Sequence, residues 1–600
     1  MKRLILTAHI ILWLTTLGFS QDIPLFEVAD NSSLGLFPVF LDRWGCSASD
    51  IDRNGWPDIY NNKWRGRLES QIYMNNEGYF TDIYGNSPQL VAAELDGNAT
   101  RTPVLVDFDN DGDRDLMLGT DYNLFMFRND NNVFVDITDA LGIESGVPGF
   151  VSIYGYEMSA WIDWDRDGDL DALVAQTNNP DFIFYRNDGD QFVDIADEVG
   201  LAGQNELGSD GDRGYNTCRI QWIDWDLDGD PDLSAGWKLF RNDDNHLTDV
   251  SDEVGFLPYH KIRFCDWFDY DLDGDFDFFM QGYDLRDEIW QNNGGVFTNM
   301  TQETGLDLFV DNGQASLNVA DFDNDADEDC FFSINDHEDI EAFLLNDYNG
   351  GMRSFVEVAS WAGFGLVGDR KGAAVLDYDM DGLLDIFCPS LDYGSLVYHN
   401  LGPVEVNNWL GLDLWGTKSN KDALGTLVTL YAGDIKLIRY TRAARTWKVQ
   451  DNPYVNFGIG QATSIDSIVI NWPMGDKQVF TDLEINKYHK IIELEPTAVD
   501  AQSTAMPDKI ALFQNYPNPF NPTTAIQYNI PRAENVSLKI YNLQGEEIIT
   551  LIADELQPEG FHSISWNGTD KMGHIVPTGM YIYQLRVGDY STMKKMTFIK

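Results

Sequence analysis

Seven times the chain repeats a close variant of Asp-x-Asp-x-Asp-Gly-x-x-Asp, beginning at Asp50, Asp107, Asp163, Asp224, Asp269, Asp321 and Asp377. Oxygen donors at positions 1, 3, 5 and 9 converge only if the backbone curls around a point, and Gly at position 6 permits that curl. A hard, oxygen-seeking cation suits such a set, and Ca²⁺ is the expected occupant of about seven sites, mainly structural. The expected ligands are Asp50, Asp52, Asn54 and Asp58; Asp107, Asp109, Asp111 and Asp115; Asp163, Asp165, Asp167 and Asp171; and Asp224, Asp226, Asp228 and Asp232. The last three loops add Asp269, Asp271, Asp273 and Asp277; Asp321, Asp323, Asp325 and Asp329; and Asp377, Asp379, Asp381 and Asp385. Asn54 replaces a carboxylate in the first loop. Ala326 replaces the Gly in the sixth, where strain is expected. An EF-hand is excluded, because position 12 is never the required Glu but Asn61, Leu118, Val174, Ala235, Met280, Phe332 or Cys388.

Such loops need strands to hold them. Position 9 runs into short apolar segments such as Leu116-Met-Leu, Ala172-Leu-Val and Phe278-Phe-Met, the pattern of buried strands. A second phrase alternates with the loops: Phe134-Val-Asp-Ile-Thr, Phe192-Val-Asp-Ile-Ala, Leu247-Thr-Asp-Val-Ser, Phe297-Thr-Asn-Met-Thr and Phe355-Val-Glu-Val-Ala, usually after an Arg-Asn or Asn-Asn turn. Its period of two marks a half-exposed strand. One loop hairpin plus one such hairpin makes a four-stranded unit of about 55 residues, the size of a propeller blade. The chain is therefore predicted to be all-β, with a seven-bladed β-propeller. The phase of the two phrases predicts that Phe26-Glu-Val-Ala, which precedes the first loop, completes the sheet of the seventh and closes the ring.

These repeats resemble the FG-GAP/VCBS family of integrin-α-type propellers over about residues 26–400. Further on, Asn408-Trp-Leu-Gly-Leu, Gly416-Thr-Lys-Ser-Asn-Lys-Asp-Ala-Leu-Gly425, Asn456-Phe-Gly-Ile-Gly460 and Asn471-Trp-Pro-Met-Gly475 resemble the ASPIC/UnbV domain. Its middle, Thr441 to Asp451, departs from the Gly- and Ser-rich segment of that family. The last ninety residues resemble a type IX secretion sorting domain. That match rests on Phe513-Gln-Asn-Tyr-Pro-Asn-Pro-Phe-Asn-Pro-Thr-Thr524, Val536-Ser-Leu-Lys-Ile-Tyr-Asn, Trp566-Asn-Gly, Pro577-Thr-Gly-Met-Tyr-Ile-Tyr and Lys594-Lys595. Together the resemblances imply a bacterial surface or secreted protein handled by the type IX machinery. The expected layout is a signal peptide at 1–20, the propeller at 21–404, an ASPIC/UnbV-like β-rich domain at 405–495, a linker at 496–509 and an Ig-like β-sandwich at 510–600.

Composition points the same way. Lys2-Arg3, the apolar run Leu4 to Leu17 and the small-residue exit at Gly18-Phe-Ser20 read as a signal peptide, and no other run is long enough to span a membrane. A net charge of −58 disfavours nucleic acid or anionic membrane as a partner, and seven Ca²⁺ would bring it to −44. Four carboxylates about 5 Å apart repel by roughly 3 kcal/mol per pair at an effective dielectric near 20. With a Kd of ~0.1 mM and ~1 mM calcium each site contributes about 1.4 kcal/mol, or ~10 over seven. Of the five cysteines, Cys265, Cys330 and Cys388 lie in or beside predicted strands and suit small buried hydrophobes, although one disulfide remains open.

Ligand candidates lie at the other ends of the loop-bearing strands. Arg43, Arg101, Arg219, Arg263 and Arg370 (with Lys371) stand five to seven residues before the first Asp of their loops. They either ring one mouth of the propeller and hold an anionic glycan such as a uronate, or bond carbonyls and carboxylates of neighbouring blades. Tyr154, Tyr156 and Tyr215 offer stacking faces. The basic stretch 418–448 is expected to dock its domain onto the acidic propeller. Gly363-Phe-Gly-Leu-Val-Gly368 spells a dinucleotide fingerprint, but a strand follows instead of a helix. The functional expectation is a noncatalytic adhesion or glycan-binding module. The alternative is an extracellular carbohydrate-active enzyme such as a polysaccharide lyase, with His260 or Tyr215 beside Arg263 as its candidate groups.

Overall fold

A computed structural model describes residues 25–598, apart from interruptions of which the longest are 144–155, 205–218, 495–510 and 513–523. The proposed signal peptide and linker lie outside the described residues, as do Tyr154, Tyr215, His260, Lys371 and the side chain of Arg43.

Each acidic loop joins the first and second strands of an antiparallel sheet. Strands Thr100–Val106, Asp115–Thr120, Leu124–Asn129 and Phe134–Asp136 form one such sheet in simple sequential order. Six others carry the remaining loops. In all seven the position-9 aspartate is the first residue of the second strand, so the carboxylate is placed by the ladder itself. These second strands are buried along their whole length, as in Asp115–Thr120 and Asp277–Gly282, which explains their unbroken apolar runs.

Phe26–Val28 pairs with Gly394–Asn400 in the sheet of the seventh loop, in the register Phe26↔Asn400 and Val28↔Tyr398. This is the pairing expected from the phase of the repeats. First strands of successive sheets lie side by side, and Ala374–Leu376 of the last returns to Arg43–Ser49 of the first. Aromatic side chains fill the wedges between sheets: Trp164 packs on Phe184 and Trp222, and Phe256 on Trp267, Phe278 and Phe297. Cys46, Cys265, Cys330 and Cys388 are free and buried in these layers.

An asparagine at the same repeat position of each sheet ties the circle together. Asn187, Asn292, Asn346, Asn400 and Asn75 each donate from Nδ2 to the position-2 carbonyl of the preceding loop: Phe108, Trp225, Tyr270, Phe322 and Tyr378 respectively. The Asn75–Tyr378 bond, 2.8 Å long, joins first sheet to last by the same contact that joins the others.

Two further β units follow. In one, Asn408–Trp415 lies between Val455–Gly460 and Tyr488–Ile492, over a sheet of Ile435–Tyr440, Leu427–Ala432, Ser467–Asn471 and Lys477–Phe480. In the other, Thr524–Ile530 and Gly560–Trp566 face a four-stranded sheet across a core containing Tyr528, Leu538, Trp566 and Leu585. No helix among the described residues is long and apolar enough to cross a membrane.

Candidate metal centres and the domain junction

The loops share a hydrogen-bond scheme, complete in five of them and lacking one or two bonds in the second and fourth. The position-1 carboxylate accepts the N–H groups of positions 5 and 6, as Asp377 does from Asp381 (3.1 Å) and Gly382 (2.7 Å). The position-9 carboxylate accepts the N–H of position 2 and that of the tying asparagine, as Asp115 does from Phe108 (3.1 Å) and Asn129 (2.8 Å). Position 5 accepts from position 7, as Asp167 does from Asp169 at 2.9 Å. These bonds turn the carboxylates inward. Oxygens of Asp50, Asp52 and Asp58, of Asp107, Asp109 and Asp115, of Asp163, Asp165 and Asp171, and of Asp224, Asp226 and Asp228 each gather within 4.8 Å.

Position 6 is left-handed in every loop, and in the sixth it is Ala326, with φ 94°. Position 4 is also left-handed: Arg53, Asn110, Arg166, Leu227, Leu272, Asn324 and Met380 all have φ between 55° and 61°. For Leu and Met that conformation costs roughly 1–2 kcal/mol per residue. Nothing in the residue types signals it.

The donor set fits a divalent cation. Oδ1 of Asp107, Oδ1 of Asp224 and Oδ2 of Asp232 are buried without a hydrogen-bond partner among the described residues. Burial, and then the neighbouring aspartates, push Asp163 and Asp224 up to about 7 and Asp269 to about 8. Groups so crowded favour an added positive charge. In the seventh loop His399 Nδ1 stands 3.1 Å from Asp385 Oδ1, adding a nitrogen to the group.

The middle unit sits directly on these loops. Tyr454 Oη donates to Asp50 Oδ2 (2.9 Å) and Tyr488 Oη to Asp377 Oδ2 (2.8 Å). Asp422 is buried between Arg53 (2.7 Å) and Arg114 (2.9 Å) and accepts the Asp107 N–H (2.7 Å). Burial works against its charge, but the two guanidinium groups hold its carboxyl below the usual range. Gly460 donates to the Asn324 carbonyl, Asn407 to that of Asp323, and Trp409 crosses Gly382 where a Cβ would collide.

The segment that departs from its family pattern enters the ring. Val449–Gln450 pairs in parallel with Cys46–Ser47, while the Gln450 amide exchanges two hydrogen bonds with the Leu105 backbone. Arg442 reaches Asp266 (3.0 Å), Gln221 and the Trp267 carbonyl, and Arg445 reaches the Val319 carbonyl and Asp266. Asp451 accepts from Val375 N–H (2.8 Å) and Asn318 (2.9 Å). One short segment touches the first strands of six sheets only if it lies where they converge. The basic stretch thus docks its unit by plugging the ring, and Asp266, fully buried, is the acid it finds there.

Of the arginine series, Arg101 pairs with Asp121, Arg370 pairs with Glu341 at 2.5 Å, and Arg219 Nε donates to the Arg263 carbonyl. Arg101 and Arg370 are buried, and Arg263 is half-buried. Tyr156 is buried. Sequence reasoning missed Asp266, Asp422, Asp451, Tyr454, Tyr488 and the tying asparagines. Only the last left a signal, an Asn recurring at or near the end of the third strand of each sheet.

The comparisons with known proteins match three segments. The FG-GAP-like repeat matches residues 107–174, ASPIC and UnbV matches 416–498, and the FlgD Ig-like domain matches 522–590. No curated protein matches the chain. Solved structures that resemble it include an Agrocybe aegerita lectin studied for recognition of non-reducing terminal N-acetylglucosamine, at 15% identity, covering 52% of this chain and 79% of that one, TM-score 0.34. Another is a Bacillus licheniformis rhamnogalacturonan lyase, at 10% identity, covering 67% and 78%, TM-score 0.34. PorZ, a type IX secretion component of Porphyromonas gingivalis, matches at 10% identity over 94% and 100%, TM-score 0.21. Segment by segment, then, residues 107–174 are identified as FG-GAP-like repeat, 416–498 as ASPIC and UnbV, and 522–590 as a FlgD Ig-like domain.

Proposed function

We propose that this is a calcium-stabilised, seven-bladed propeller protein of the bacterial cell surface or medium, acting as a noncatalytic adhesion or glycan-binding module. The observation that carries the calcium reading is the seven-fold recurrence of inward-turned carboxylates, some with buried oxygens that have no partner among the described residues. Each loop would hold its ion by positions 1, 3, 5 and 9, and the ion would supply the positive charge that keeps those groups together. The noncatalytic reading is supported by how these polar groups are used: Asp266, Asp422, Arg442 and Arg445 bind one part of the chain to another. Export by a leader and the type IX machinery, with the Ig-like unit as its address, is supported by the sorting-type motifs of the last ninety residues. The propeller is proposed to meet a glycan or cell-surface polymer.

The test is metal content and binding together. The purified chain, equilibrated in calcium and desalted, is expected to retain several calcium per chain by atomic emission, and to bind at least one polysaccharide on a glycan array without releasing reducing ends. A chain that retains no calcium would sink the metal reading. New reducing ends from any polymer would replace the binding module with an enzyme.

A further inference from the structure

The loops are alike in their carboxylates but not in the side chain that overlooks them. The residue just before the repeated asparagine of the third strand is Met74, Arg128, Arg186, Arg241, Gln291, Leu345 and His399 in successive sheets. In the third, fifth and seventh it reaches the loop of its own sheet. Arg186 Nε lies 3.9 Å from Asp165, Gln291 donates to Asp271, and His399 Nδ1 stands 3.1 Å from Asp385 Oδ1. An arginine repels a cation and a leucine offers it nothing, whereas a neutral imidazole is a nitrogen ligand. Of these seven residues only His399 is an imidazole.

Its surroundings suit ligation. A ring nitrogen of His399 and one oxygen each of Asp379 and Asp385 all lie within 4.8 Å of one another. Oδ1 of Asp379 is buried and has no hydrogen-bond partner among the described residues. Asp377 and Asp385 are buried, while Asp381 is exposed and leaves a way in for an ion. The Tyr378 ring meets the imidazole edge-on at 5.6 Å, and Glu27 pairs with His399 across the seam that closes the ring. Side chain and strand are thus both held.

The chemistry of the set selects the ion. Calcium takes oxygen ligands, so an imidazole adds little to its affinity. First-row transition ions accept imidazole, and an oxygen-rich set with a single imidazole suits Mn²⁺. Two neighbouring ligands about 2.1 Å from an octahedral ion stand about 3.0 Å apart, near the separation of His399 and Asp385. The same separation suits a hydrogen bond, so the two roles are divided by experiment.

We propose that the seventh loop holds a manganese-class divalent ion, with His399 Nδ1 as its nitrogen ligand beside Asp377, Asp379, Asp381 and Asp385. This rests on the reading of the loops as cation sites and changes the occupant of one, leaving the others to calcium.

For the test, the purified full chain is equilibrated in about 1 mM calcium and about 0.1 mM Mn²⁺ and desalted, and both metals are counted by atomic emission. With a preference of about tenfold or more for Mn²⁺ at this loop, about half a manganese per chain or more is expected beside several calcium. Pulsed EPR of that manganese is expected to show a directly bound imidazole nitrogen. His399→Gln places there the side chain that the fifth loop carries, which keeps a hydrogen-bond donor and removes the nitrogen ligand. Manganese is expected to fall about fivefold in the variant, with calcium content no lower and the melting temperature in calcium unchanged. Manganese that survives His399→Gln, or that shows no bound nitrogen, would overturn the proposal. Several calcium without manganese in the unaltered chain overturns it as well and keeps the calcium reading. A chain that holds neither metal removes both.

Discussion

The hydroxyl of Tyr454 lies 2.9 Å from Oδ2 of Asp50, so a residue of the middle unit bonds the leading carboxylate of the first acidic loop. Tyr488 repeats the contact at Asp377, the leading carboxylate of the seventh. Loop geometry and domain docking therefore share atoms, and what disturbs one disturbs the other.

Calcium removal comes first. At about 1.4 kcal/mol per site, seven sites contribute roughly 10 kcal/mol. At about 1–1.5 °C per kcal/mol for a unit of this size, chelation is expected to lower the melting temperature by roughly 10–15 °C. Differential scanning calorimetry in calcium and in EDTA reads this directly. A shift below a few degrees would mean the loops stand without ions.

Acidity should act in opposite directions with and without the metal. In the absence of calcium the Asp163 and Asp224 carboxyls, each pushed up to about 7 by burial and then by the aspartates of its own loop, hold protons that the unfolded chain has released. A raised carboxyl favours folding below its unfolded pKa, and that advantage is lost as pH climbs through the folded value. The melting temperature in EDTA is thus expected to fall from about pH 5 to about pH 8, while the gain from added calcium grows over the same range as protons cease to compete. An EDTA curve that rises with pH contradicts this account.

Ala326 holds φ at 94° where the other six loops have Gly. Ala326→Gly removes the Cβ conflict and is expected to stabilise by about 0.5–1 kcal/mol after the added freedom of the unfolded chain is counted. Denaturant titration of the variant checks it; a loss of stability would show that the methyl group packs usefully.

Asp422 neutralises two arginines, whereas Tyr454 makes a single hydrogen bond to a carboxylate. Asp422→Asn leaves Arg53 and Arg114 buried with one charge too many and is expected to cost roughly 3–5 kcal/mol. Tyr454→Phe is expected to cost roughly 1.5–3 kcal/mol. Equal costs by chemical denaturation would refute the assignment of Asp422 as the centre of the junction.

Local chemistry is what the residues declared by themselves. Convergent carboxylates, glycine at the curl, apolar runs after position 9 and alternating phrases before it specify strand–loop–strand units, because each depends only on neighbours within a few residues. The pairing of Phe26–Val28 with Gly394–Asn400 was legible too, since the phase of a repeat is a property of order along the chain. Strain at Ala326 could be foreseen, but the left-handed turn at Leu227, Leu272 and Met380 could not, because the hydrogen bonds of the closed loop impose it against residue preference.

The tertiary structure alone decided what the charges meet. Arg101 and Arg370 read as candidates for a ligand-binding ring, yet folding sets Asp121 and Glu341 beside them, and those partners lie far enough along the chain that no spacing announces them. Likewise, the departure of Thr441 to Asp451 from its family pattern acquires meaning only when Arg442 is seen against Asp266, 176 residues earlier in the sequence. A buried charge is tolerated only where an opposite one is already waiting, and where that happens is fixed by the closing of the ring.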